Sequence, residues 1–394
     1  MNSRQAAMDA ITKGNGVLHL APTWVPRNFA RPGKRLRLHP DDYYSLGLHR
    51  GGICERWLSS AVHADNGPDT AEDEGLSYVV TCKEKKECKI TLLEAVEELK
   101  EELIGEDLYQ KFQTLPMFAK LFDNLGSLPH HIHLSQKYAS MVGRTAKPEL
   151  YFFPSQLNSH GGEFPYTFFG LNPGTRREEI LECFQNFGKG DNKITEYSRA
   201  YRLPLDRGFD VPTGILHAPG SLCTYEPQLS SDVLVMCQSL LPGEHLVSED
   251  LLWKDIPAEH QGDYKFLVET IDWEKNTDPE FYRNHFLEPV QLPSESAAVI
   301  ENLSTRSPVL GAWRVTVPPE ETAVLKTPFS YGLILLQGVG SINGQPMETP
   351  TVMRFGEISL DEYFVSKAAA EEGVVIKNHL KSQNLVYLMH YYKV

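Results

Sequence analysis

Apolar residues recur at helical spacing most clearly where Leu92, Val96, Leu99 and Leu103 fall on one face. Thr91 and Glu94 form a capping box ahead of them and Gly105 follows as a stop, so the pattern predicts a helix over 91–104. A second capping box, Thr175 with Glu178, predicts a helix running through Ile180, Leu181 and Phe184 toward Gly188. Elsewhere the texture changes. The segments 148–154, 164–171, 212–216, 222–226 and 232–238 are short, rich in aromatic or β-branched residues, and bounded by Gly, Pro, Asn or Asp. Such spacing predicts the strands of an antiparallel barrel or jelly roll. From about Pro308 onward only strand and turn are expected, with Asn343-Gly344 as a hairpin turn and the run LVYLMHYY as the closing strand. The acidic segment from about 245 to 295, which holds Trp253 and Trp273, reads as a bridge between two units.

Length supports that division. A chain of 394 residues exceeds one small core, and the expected units are 1–295 and 296–394. A hydrophobic fraction of 41% and a charged fraction of 23% are those of an ordinary globular protein. The net charge of −14 opposes a phosphate backbone, which argues against a nucleic-acid partner. The opening MNSRQAAMDAITKG has no apolar signal core, and apolar runs such as Leu333 to Leu336 are too short for a bilayer, so no membrane association is expected and the protein reads as cytoplasmic. Six cysteines without a C-x-x-C pair read as reduced thiols. Cys82 and Cys88 flank a charged run that reads as a solvated hairpin tip, because a zinc knuckle there would lack its second ligand pair.

Candidate chemistry begins at His130-His131-Ile132-His133. Side chains alternate along a strand, so His131 and His133 share a face while His130 points the other way. Two imidazoles held in this way make half of a metal site. Glu149 follows Lys147-Pro148, where proline favours extended backbone before it and the carboxylate projects from the start of a strand. A third imidazole, His217, ends the turn Pro212-Thr213-Gly214-Ile215-Leu216. His131, His133, Glu149 and His217 together suit one divalent metal ion, zinc first, with iron, manganese or nickel also fitting the donor set.

The order of these motifs resembles that of type I phosphomannose isomerases (mannose-6-phosphate isomerases) of the cupin superfamily. LPMFAKLFDNLGSLPHHIHLSQKYA is similar to the family stretch ending in Gln-x-His-Pro, with His131 in the glutamine position and His133 matching the histidine. Lys147-Pro148-Glu149, FPYTFFGLNPGTRREEILECF and PTGILHAPGSLCTYEPQLSSD resemble later family segments, and Cys54-Glu55-Arg56-Trp57 resembles an earlier one. The resemblance implies a mainly β fold of two cupin (RmlC-like) jelly-roll barrels with inserted α-helices. It also implies a metal-dependent aldose-ketose isomerase that moves a proton between neighbouring carbons of a small-molecule sugar or sugar phosphate, such as mannose 6-phosphate and fructose 6-phosphate. By position, Glu226 is the catalytic base, Lys147 polarises the carbonyl or binds a hydroxyl, and Asp232 orients its neighbours.

One departure concerns phosphate: Met236 stands where the family has an arginine thought to bind it. Lys137, Arg144, Arg202 and Arg207 are the candidate substitutes, so phosphorylation of the substrate stays open. Two other readings belong to the same donor set, a cupin dioxygenase and a non-catalytic sugar-binding cupin. The dioxygenase pattern places its glutamate a few residues past H-x-H, whereas 16 positions separate His133 from Glu149.

Overall fold

Valine, isoleucine and aromatic side chains suit a pleated, half-buried surface, and segments rich in them here assemble into antiparallel sheets. The computed structural model describes residues 3–81, 90–158, 164–241 and 245–394, so the segment bracketed by Cys82 and Cys88 lies outside the described residues. The chain is mainly β, with helices inserted between strands.

Two sheets build the half that carries the histidines. A seven-stranded sheet runs in the order Phe286–Leu287, Gly208–Val211, Glu149–Phe152, Thr224–Leu229, Met117–Phe122, Gly52–Leu58, Thr23–Arg27. A five-stranded sheet runs Val235–Met236, His131–Ile132, His217–Ala218, Tyr166–Leu171, Ser198–Arg202. Phe122, Tyr151 and Phe209 of the first share one apolar cluster with Phe169 of the second, so these two sheets face each other.

The second half pairs an eight-stranded with a four-stranded sheet around Leu333, Tyr363, Tyr387, Ile342 and Ile376. Asn343 and Gly344 take positive φ of 44° and 83°, the geometry of a tight hairpin between Val339–Ile342 and Gln345–Glu348, as expected. The closing run forms the strand Leu385–Tyr392, buried at every position between Leu310–Val317 and Tyr331–Gln337. Val17–Ala21, from the start of the chain, pairs with Glu362–Val365 and so belongs to the sheet built mostly from the end of the chain. Arg56 reaches across to Asp361 with two contacts of 2.8 Å, a buried ion pair that ties the halves together.

Four sequence expectations are corrected. The stretch from Pro308 onward, expected to hold only strand and turn, also contains the helix Lys367–Glu372, capped by the Ser366 side chain accepting from the Ala369 N–H. The helix over 91–104 keeps its Thr91–Glu94 capping box but breaks at Lys100, where φ is 51°, into Leu92–Leu99 and Glu101–Ile104. Leu103 and Ile104, both in the second piece, are buried. The second helix spans Arg177–Gln185, capped by Glu179 accepting from the Arg176 N–H at 2.8 Å. The Thr175 hydroxyl is occupied in closing the preceding turn onto the Asn172 carbonyl at 2.7 Å, so the Thr175–Glu178 box does not form. Finally, 212–216 is a turn, with Gly214 at φ +77°, and the strand starts only at His217.

The segment 245–295 carries the short helices Asp250–Trp253, Tyr264–Glu269, Trp273–Asn276 and Phe281–His285 among turns and short strands. Leu252, Phe266 and Leu267 from it pack with Ile132, Leu171 and Leu216 on the face of the five-stranded sheet that turns away from His131 and His133. Among the described residues no helix is long and apolar enough to cross a membrane. The four described cysteines, Cys54, Cys183, Cys223 and Cys237, are free and buried.

Candidate metal centre

Strand alternation sends Ile132 into the outer apolar layer and His131 and His133 inward. His217 arrives from the adjacent strand, directly opposite His131 in register. Its approach is set by the turn before it. The Asn276 side chain donates to the Gly214 carbonyl at 2.7 Å and accepts from the Leu216 N–H at 2.9 Å, while Gly214 N–H donates to the His133 carbonyl at 2.8 Å.

A ligand nitrogen from each of the three histidines lies within 4.8 Å of the others. Each Nδ1 meets a backbone carbonyl: His131 that of Pro129 at 2.7 Å, His133 that of Val233 at 2.7 Å, and His217 that of Ile215 at 2.8 Å. A carbonyl only accepts, so each Nδ1 carries the hydrogen and each Nε2 presents its lone pair to the centre. Burial pushes His131 well below the ordinary imidazole value, with His217 and His133 adding to the effect. Burial also brings His133 down to about 4 against the opposing charge of Glu149. Both are neutral at neutral pH, the form that binds metal.

Glu149 projects from the facing sheet. Its carboxylate oxygens stand 2.9 Å from His133 Nε2 and 3.5 Å from His217 Nε2, and Tyr151 donates to it at 2.8 Å. Burial disfavours its charge, but the opposing Lys147 ammonium 2.8 Å away helps outweigh burial, and the carboxyl pKa is held well below the usual range. The His217 Nε2 is buried without a hydrogen-bond partner. An orphaned buried acceptor, two further inward lone pairs and an ionised carboxylate are together a donor set that a divalent cation fits.

Around this centre lies a network of buried charges. Lys147 Nζ is 2.8 Å from Glu149 and 4.0 Å from Glu226. Glu226 sits on a central strand, 1% exposed, opposite Lys120 in register and 3.1 Å from its Nζ. Burial and then the Glu149 charge push the Glu226 carboxyl well above its ordinary pKa, against the pull of Lys120 and Lys147. Asp232 pairs with Arg27 at 3.2 Å, and burial of its carboxylate is outweighed by that guanidinium, which holds it ionised. Arg27 also grips Glu55 through Nε at 3.0 Å and Nη2 at 3.1 Å. A bulge between Val25 and Pro26, on an edge strand where proline is tolerated, re-aims Arg27 toward these partners.

A cavity of about 320 Å³ opens onto His131, His133, Lys147, Lys120, Arg27 and Asp232. Glu149, His217 and Glu226 are buried directly beside these lining side chains, Glu149 2.9 Å from His133 and Glu226 3.1 Å from Lys120. Met236 is the register partner of His131 on its other side and forms part of the wall. His130, expected to face away, donates from Nδ1 to the Gln238 side-chain oxygen at 2.7 Å. The expected substitutes for a phosphate-binding arginine, Lys137, Arg144, Arg202 and Arg207, do not line the cavity; Arg144 pairs with Asp65 and Arg207 with Glu288.

Three site residues carry no assignment from sequence: Arg27, Glu55 and Lys120. A signal for Lys120 exists in the run MFAKLF, where a lone lysine interrupts an apolar strand, and a buried charge requires a partner. Arg27 gives no such signal, because its role depends on the bulge.

No protein-family model matches the sequence, and no curated protein matches it. Solved structures do match. A mannose 6-phosphate isomerase from Bacillus subtilis superposes with a TM-score of 0.62 at 14% identity, covering 95% of this chain and 99% of that one. A mutant phosphomannose isomerase from Salmonella typhimurium gives 0.60 at 11% identity, covering 95% and 99%. A mannose 6-phosphate isomerase bound with zinc and yttrium gives the same values of 0.60, 11%, 95% and 99%. The chain therefore has the fold of mannose 6-phosphate isomerases, a cupin-like antiparallel β architecture, over nearly its whole length.

Proposed function

We propose that this protein is a metal-dependent aldose-ketose isomerase acting on a hexose of the mannose and fructose class. The observation that carries the reading is the meeting of three inward-facing imidazoles with Glu149 across two sheets, beside the buried Lys147–Glu226 pair. His131, His133, Glu149 and His217 would hold one divalent ion, zinc first, with iron, manganese and nickel also compatible. That ion would supply polarisation of the sugar carbonyl and stabilisation of negative charge on its oxygen.

The remaining chemistry belongs to the chain. Glu226, moved toward neutrality by burial, takes the carbon-bound proton and returns it to the neighbouring carbon; a raised pKa makes it a stronger base near the working pH. Lys147 lines the cavity and stands between Glu149 and Glu226, where it donates to a substrate oxygen. Asp232 acts through Arg27, whose orientation it fixes. In this reading residues 1–295 carry the site, and 296–394, completed by Val17–Ala21, form a supporting second jelly roll.

The test is solvent exchange. Metal-loaded protein incubated in deuterated water with mannose, fructose and their 6-phosphates should place label at C2 of the aldose and C1 of the ketose, with one metal ion per chain and no oxygen uptake. Bound metal without label from any sugar would sink the isomerase reading, and oxygen consumption would favour dioxygenase chemistry.

A further inference from the structure

Four cations line the cavity: Arg27, Lys120, Lys147 and Lys254. A guanidinium has five N–H donors, and all five on Arg27 are engaged. Nε and one Nη2 hydrogen go to Glu55 at 3.0 and 3.1 Å, the second Nη2 hydrogen and one on Nη1 go to Asp232 at 3.2 and 3.3 Å, and the last goes to Asn66 at 2.8 Å. Lys120 is held by Glu226 at 3.1 Å and Glu55 at 3.7 Å. Lys147 is held by Glu149 at 2.8 Å, and Lys254 by the Asp65 carboxylate at 3.2 Å and its carbonyl at 3.1 Å.

Four carboxylates, Glu55, Asp65, Asp232 and Asp250, share the lining with these four cations. Beside the lining Glu149 adds a further negative charge, and Glu226 another when it is ionised to act as base, together the charge of one divalent ion. A phosphate ester would bring about two further negative charges, as for other phosphomonoesters near neutral pH, into a site with no unpaired cation in its lining. Buried anions without a partner are costly, and phosphate recognition relies on a free guanidinium fork or ammonium. The rest of the wall is apolar where Met236, Leu234, Leu128 and Phe29 contribute. Arg31 and His245 line a separate cavity that shares only Asn28 and Phe29 with this one.

From this pairing of every lining cation with a carboxylate we infer that the site takes an unphosphorylated sugar and discriminates against the phosphate ester. Apolar wall meets the C–H faces of such a sugar, and carboxylates accept from its hydroxyls. The inference rests on the isomerase reading only in taking the ligand to be a sugar.

Titration calorimetry of zinc-loaded protein with mannose and with mannose 6-phosphate tests it, followed by kcat/KM for each. Mannose should bind at least tenfold more tightly than its ester, and kcat/KM should favour it by a similar factor. Met236→Arg should raise affinity for the ester at least tenfold, and Asp250→Lys, at an exposed position of the mouth, provides the same gain of charge should the first variant fail to fold. Equal binding of the two, tighter binding of the ester, or binding of neither would overturn the inference. So would loss of ester binding on Arg31→Ala, which would place a phosphate in the neighbouring cavity. Selective mannose binding without C2 exchange would instead leave the inference standing and remove the isomerase reading.

Discussion

His131 and His217 stand directly opposite each other on neighbouring antiparallel strands, their ring centroids 4.2 Å apart. Cross-strand neighbours are locked by the hydrogen-bond register, so the distance between these ligands is a property of the sheet and not of flexible side chains.

That rigidity depends on the turn before His217. Asn276 is fully buried and holds both Gly214 and Leu216, so Asn276→Ala should weaken metal binding by about 10- to 100-fold although no ligand is removed. Competition with a calibrated zinc chelator measures it; unchanged affinity would show that the sheet alone positions His217.

Glu226→Gln removes the proposed base while keeping its shape. The expected result is a fall in kcat of about 100- to 10,000-fold with metal content unchanged. Full activity in the variant would assign proton transfer to another group.

Arg27→Met would leave Glu55 and Asp232 buried without their shared cation. Breaking such a pair from one side costs about 3–5 kcal/mol, to be read from urea denaturation midpoints. A loss below about 1 kcal/mol, the scale of an exposed pair, would mean that the carboxylates find other partners.

Acid should strip the metal late. With His133 near 4 and His131 also lowered, protons compete with the ion only as pH falls toward about 4. Zinc retained after dialysis should stay level from neutral pH to about 5.5 and then drop, given imidazoles perturbed in this direction. Release already near pH 6.5 would contradict the burial that lowers them.

Glu362 provides a pH dependence of stability away from the site. Burial raises its carboxyl from 4.5 to about 7, against the pull of Arg56 and the Ser59 N–H. Between those values the folded chain holds a proton that the unfolded chain has released, so stability is fully present below 4.5 and is lost as pH rises through about 7. Glu362→Gln should remove a slope of at most about 1.4 kcal/mol per pH unit from the difference between variant and parent. Parallel stability profiles would refute it.

Much of the site was legible because its ligands obey local rules. The period of two in His131-Ile132-His133, the proline before Glu149 and the turn ahead of His217 depend on backbone geometry within a few residues, and the structure brings all four together. Local rules also found the Thr91–Glu94 cap and the Asn343-Gly344 hairpin.

Where competing local options existed, packing chose between them. Lys100 takes a positive φ that splits the helix, and Thr175 spends its hydroxyl on a turn. Sheet pairing, which joins residues far apart in sequence, decided that Val17–Ala21 lies beside Glu362–Val365. It also set Glu226 against Lys120 and left Arg27 with every donor occupied. Chain chemistry thus named the four side chains that meet at the candidate metal centre, whereas the charge balance of the cavity arose from long-range register and burial that no short segment encodes.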